Sequence, residues 1–123
     1  MRILRTALGC FVIACACLAG TSLVQRAPAD TATRRNPFEG SEMALLAGAK
    51  LYARECAECH GTKREGAKKV PPLSQPEVYN ATPETLFWVL RNGSLRRGMP
   101  SFAHLPEPQR WQIITFLRSV EPR

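Results

Sequence analysis

The chain has 123 residues, 45% of them hydrophobic, with 17 Lys and Arg against 10 Asp and Glu. That length holds one modest core plus a leader or tail. The positive charge is not interleaved with aromatic residues, so it gives no nucleic-acid stripe. Of the five cysteines, Cys10, Cys15 and Cys17 fall near the N-terminus, which leaves Cys56 and Cys59 and excludes a disulfide framework.

The first 29 residues stand apart. MRILR is a short basic start, and Thr6 to Val24 then runs without a charge until Gln25-Arg26. Three readings fit this pattern. It is a secretory signal with a small-x-small cleavage site at Ala27-Pro28-Ala29, an uncleaved membrane anchor, or a lipoprotein leader in which Val12-Ile13-Ala14-Cys15 leaves a lipidated Cys15. Each puts the folded part in the periplasm or on the outer face of the cytoplasmic membrane. Residues 30–40 (DTATRRNPFEG) have no apolar period and read as a linker. The remaining domain is 41–123.

Ser41 is a helix cap and Glu42 suits the positive end of a helix, so a helix is predicted over about 42–57. Residues 61–81 carry glycines, prolines and scattered lysines and read as a long loop, of the kind that wraps something. Thr82-Pro83 opens a second helix, with Leu86, Val89 and Leu90 as its stripe, and Gly93 stops it. SLRRGMPSFAHL is irregular. A last helix runs from about Pro106 to Val120, with Ile113, Phe116, Leu117 and Val120 at helical spacing. No strand pair appears, so the fold is predicted all-α.

The chemistry lies in CAECHG, residues 56–61. A zinc site needs four ligands, yet the chain has two histidines and no second Cys-x-x-Cys. A redox dithiol of the thioredoxin kind wants a βαβ setting, which is missing. Cys-x-x-Cys-His is the attachment signature of c-type haem. Two thiols on one turn of backbone reach the two vinyl groups of a porphyrin, and the adjacent His60 faces the iron.

With that motif in place, the stretch from about 43 to 120 resembles a small class I cytochrome c, in the manner of the short single-haem bacterial domains. The resemblance implies three main helices with long loops around one covalent haem c. It also implies that Gly48 and Tyr52 pack the first helix on the last, where Ile113 and Phe116 fit as partners. Pro71-Pro72-Leu73 resembles the family's Pro-x-Leu loop, which makes the Pro71 carbonyl the acceptor for the far nitrogen of His60. Gly98-Met99-Pro100 resembles the distal loop, which makes Met99 the second axial ligand. His104 is the rival for that place, and Met43 is too near the proximal side. Trp88 lines the haem pocket or sits in the core.

The expected function follows. Cys56 and Cys59 hold the haem, His60 and Met99 ligate iron, and the protein carries one electron at a time rather than catalysing a reaction. Its partners are redox proteins, acidic ones if Lys63, Arg64, Lys68, Lys69, Arg96 and Arg97 border the haem edge. Membrane attachment would run through Thr6–Val24 or Cys15. An alternative is a haem c subunit of a larger periplasmic dehydrogenase or terminal oxidase complex. A ligand-binding or peroxidatic protein would need an open distal position.

Overall fold

Two hydroxyl groups start the two helices whose caps stand in the sequence. Ser41 accepts a hydrogen bond from the Ala44 amide at 3.2 Å and opens α1, Glu42–Glu55. Thr82 accepts from the Thr85 amide at 3.2 Å, and Pro83 takes the first position of its helix. The computed structural model describes residues 22–29 and 34–119. Along this chain follow α2 (Ala57–His60), α3 (Pro76–Asn80), α4 (Pro83–Asn92) and α5 (Glu107–Arg118), with single 3-10 turns at Val24–Arg26 and Leu95–Arg97. No strand occurs among the described residues, and the fold is all-α, as the sequence predicts. The first predicted helix is broken at Cys56, whose φ of −121° ends α1 before α2 restarts. The long loop contains α3, which buries only Val78. A five-residue helix is too short to show a period, so only Pro76 at its start could have signalled it.

The core forms where α1 crosses α5. Gly48 makes that crossing close: a Cβ there would lie 2.7 Å from the Gln112 carbonyl carbon and 3.0 Å from Phe116 Cβ. One turn on, Tyr52 is 2% exposed and its ring centre sits 5.2 Å from that of Phe116. Ile113 and Ile114 on α5 are fully buried. On the other side α4 stacks on α5 through Phe87 and Trp111, whose ring centres are 4.2 Å apart. These large apolar side chains supply most of the burial available to so small a chain.

Residues 34–40, expected as part of a linker, fold down along α5 as a strap. Asn36 is 7% exposed. Its amide donates to the Trp111 carbonyl and to Thr115 Oγ1 at 3.2 and 2.9 Å, while its own Oδ1 accepts from the Phe38 amide. Arg34 lies over the Phe87 and Trp111 rings at 5.2 and 5.4 Å and pairs with Glu84 and Glu107. Hydrogen bonds from Trp111 and then Arg34 hold the Glu107 carboxyl below its ordinary range. Val24 also packs against the core. Among the described residues no helix is long and apolar enough to cross a membrane. The proposed span at Thr6–Val24, all but its last three residues, the lipidation site at Cys15 and the helix end at Val120 lie outside the described residues.

The Gly48 crossing makes a direct prediction. Gly48→Ala pushes a methyl group into the Gln112 backbone and should cost about 1–3 kcal/mol, read as a lower denaturant midpoint with an unchanged slope. An unaltered midpoint would mean that the two helices do not meet there.

Candidate functional site

Cys56, Cys59 and His60 share one turn of backbone. The His60 amide bonds to the Cys56 carbonyl at 2.9 Å, and α2 carries Cys59 and His60 three and four positions after its cap, Cys56. Both thiols are unpaired; Cys56 is buried and Cys59 exposed. Burial first, then the nearby Glu55 and Cys59, pushes the Cys56 thiol up to about 12, so it stays a neutral S–H. His60 Nδ1 lies 2.9 Å from the Pro71 carbonyl oxygen. A carbonyl only accepts, so Nδ1 carries the proton and Nε2 keeps its lone pair for a ligand.

The loop between these two residues is built to return Pro71 to His60. Gly61 and Gly66 take φ values of 83° and 75°, which glycine adopts without strain. At Gly66 a Cβ would fall 2.6 Å from the Val70 carbonyl oxygen. The Gly66 amide bonds to the His60 carbonyl at 2.7 Å, Ala67 and Val70 exchange a pair of bonds, and the Leu73 amide bonds to the Arg64 carbonyl at 2.9 Å. From below, the Tyr52 hydroxyl donates to the Gly61 carbonyl at 2.7 Å. Burial above all raises the Tyr52 phenol to about 12, against the lowering effect of Arg64. Lys63, Lys68 and Lys69 are exposed on this loop. Arg64 is not: it is 9% exposed and turned inward. Its charge had placed it in the surface set with the lysines, and that assignment is corrected.

Met99 comes from a different loop. Ser94 and Met99 exchange backbone bonds of 2.8 and 3.0 Å across the Leu95–Arg97 turn, and Gly98 takes a left-handed φ of 78° to close it. The loop is tied to α4 by the Phe102 amide on the Leu90 carbonyl at 2.8 Å and by the Ser101 hydroxyl on the Arg91 carbonyl. Met99 is half-buried and packs on the core together with Leu73 and Ala57. His104 is exposed beside the Phe102 ring, and Met43 is 83% exposed. Trp88 is partly buried. The structure thus gathers Cys56, Cys59, His60 and Pro71, while Met99 lies on a separate loop tied to α4 and packs on the core. Two cavities of about 360 and 390 Å³ follow the strap and contain none of these five residues. Among the described residues no three His, Cys, Asp or Glu side chains cluster as a metal site, so a zinc tetrad is not built here. Two free thiols flanking a histidine with one ring nitrogen already engaged is a donor set that fits a covalently attached haem.

Residues 44–117 match the model of the family described as cytochrome c oxidase, cbb3-type, subunit III. The chain belongs to this family. It is a small monohaem c-type cytochrome domain, and the family implies haem c with iron and electron transport. The domain is 30% identical over 95 residues to cytochrome c550 of Pseudomonas aeruginosa, covering 74% of this chain and 66% of that one. It is 32% identical over 95 residues to the quinohemoprotein alcohol dehydrogenase ADH-IIG of Pseudomonas putida, covering 75% of this chain and 13% of that protein. The chain therefore spans just under two thirds of the first relative and a small part of the second. No solved structure matches the cytochrome domain at a comparable level.

The Tyr52 bond has a pH signature. Its phenol titrates near 12 in the fold against 10.0 as the ordinary value, so the neutral form carries stability that is complete below pH 10 and is lost as pH rises towards 12. Tyr52→Phe keeps the ring on Phe116, should cost about 0.5–1.5 kcal/mol at neutral pH, and should flatten the loss of stability across that alkaline window. Parallel denaturation curves from pH 7 to 12 check both effects; an unchanged alkaline slope would contradict the buried hydroxyl.

Proposed function

We propose that this cytochrome domain shuttles single electrons between redox proteins outside the cytoplasm, on one haem held by Cys56 and Cys59. The observation that carries the reading is the 2.9 Å bond from His60 Nδ1 to the Pro71 carbonyl beside two free thiols. Cys56 and Cys59 would hold the haem through thioethers, each S–H adding across a vinyl group with nothing lost. His60 Nε2 would ligate its iron. The Pro71 carbonyl fixes the ring plane and makes the nitrogen a stronger donor. Met99 serves as the other ligand: it is half-buried on a pinned loop, whereas its rival His104 faces solvent. Haem iron supplies one-electron redox chemistry, and methionine ligation raises its potential. Were His60 and Met99 both to ligate the iron, the chain would leave no position for oxygen or peroxide, which favours carrier over catalyst.

The export reading rests on the basic start and the uncharged run from Thr6 to Val24. Exposed Lys63, Lys68 and Lys69, with Arg96 on the distal turn, suit an acidic partner, through faster encounter at low salt. A second reading, a haem subunit of a larger dehydrogenase or oxidase, draws on the match to part of an alcohol dehydrogenase and on the family's description as an oxidase subunit. Co-purification of a stoichiometric second chain would select it.

Two measurements test the site. The mature holoprotein should carry the mass of one porphyrin that survives denaturation; its absence would end the haem reading. Met99→Ala should lower the reduction potential and let carbon monoxide bind the reduced form, with the haem still attached; an unaltered spectrum would move the distal ligand elsewhere. A chain carrying Cys56→Ser and Cys59→Ser should accumulate without haem and lose most of its helical circular dichroism, because a domain below roughly 100 residues with such long loops buries too little to fold alone. A cooperative melt of that chain would contradict this.

A further inference from the structure

Arg64 breaks two rules at once. It is the one non-glycine residue with positive φ, 61°, among the described residues, a backbone region that strains an L-residue and that glycine enters freely. It is also 9% exposed although it carries a permanent charge. Both exceptions resolve on the same partners. The guanidinium lies over the Phe116 ring at 5.5 Å, and Nη1 reaches the Leu117 carbonyl at 3.5 Å, in the last turn of α5. A cation is well placed there, against the negative end of the helix and an aromatic face. The backbone of Arg64 meanwhile points the other way. Its carbonyl accepts from the Leu73 amide at 2.9 Å and its amide donates to the Gly61 carbonyl at 3.1 Å.

We infer that Arg64 is a positioning residue for His60. Its side chain moors the loop apex to the end of α5, and its carbonyl fixes Leu73, two residues beyond the oxygen that holds His60 Nδ1. Phe116 is shared by this mooring and by Tyr52, whose hydroxyl holds the Gly61 carbonyl. Helix α5 thereby acts on the imidazole through both ends of the loop. The inference rests on the reading of His60 as an iron ligand.

The test uses the holoprotein and Arg64→Gly, which keeps the backbone conformation and removes the mooring. The Gly66 and Leu73 amides should exchange with solvent about tenfold faster or more, because the loop then opens locally without its mooring. The reduction potential should rise, because a loosened Pro71 bond makes the imidazole a weaker donor to the oxidised iron, while the spectrum stays six-coordinate. Unchanged exchange and unchanged potential would overturn the inference and leave Arg64 as a cap on α5. Arg64→Asn, whose short side chain also tolerates positive φ, repeats the test should the glycine variant fail to mature. In the unaltered protein the Leu73 amide and those of the last turn of α5 should open with one common free energy; independent opening would overturn the inference without any variant. Faster exchange in a chain whose mass shows no porphyrin would sustain the mooring and sink only the role of His60.

Discussion

One backbone carbonyl decides what His60 can do. By accepting the Nδ1–H hydrogen bond, the Pro71 carbonyl fixes the tautomer, the ring plane and the basicity of Nε2 together. Proline suits this task because it lacks an amide hydrogen that would compete for acceptors, and its ring stiffens the segment that bears the carbonyl. The bond spans eleven residues of chain, and a loop of that length has no intrinsic reason to return to its start. It returns because Gly61, Arg64 and Gly66 all adopt positive φ, and because five backbone bonds close the loop in stages. The strain at Arg64 is the local cost of setting one oxygen.

That loop would be useless on a soft foundation, and the foundation is the α1–α5 pair. The close approach at Gly48 brings Phe116 against Tyr52, and from there the order passes upward through the Tyr52 hydroxyl and the Arg64 guanidinium. The strap does the same for the other face. Asn36 satisfies the Trp111 carbonyl and Thr115 hydroxyl, and Arg34 covers the Phe87–Trp111 stack. A small domain has too little interior to be stable from burial alone, and here its edges are closed by side-chain bonds to backbone, each worth about 1 kcal/mol net.

What could be read from the sequence was whatever is local. Ser41, Thr82, Pro83 and Gly93 announce helix ends because capping involves only neighbours within one turn, and those ends stand where they were expected. The haem motif was legible because its members are adjacent in sequence. The approach of Gly48 to α5 and the pairing of Tyr52 with Phe116 came from family resemblance, since neither can be deduced from periodicity, and the structure shows both. The resemblance alone also pointed to Pro71 and Met99. The strap escaped because Asn36 bonds to Thr115, 79 residues away, and a lone asparagine before a proline looks like any turn. Arg64 escaped because charge predicts exposure, and only the tertiary fold reveals a helix end and a ring waiting for it. The short α3 escaped because one buried valine makes no pattern.

The removal of Arg64 from the surface also sharpens what distinguishes a free carrier from a fused one. Arg64 is turned inward, away from any partner, and a domain of this kind can serve alone or within a larger chain. Fusion replaces diffusional search by an effective concentration set by the connection, and charge steering then has little left to do. A free carrier depends on steering for its encounter rate. The basic residues that remain outside, Lys63, Lys68 and Lys69 on the proximal loop and Arg96 on the distal turn, make no hydrogen bond that the site depends on except through the Lys63 backbone amide, which the Glu65 carboxylate accepts. Their side chains take no part in holding the histidine and stand on the surface, where a free carrier would use them and a fused one would not.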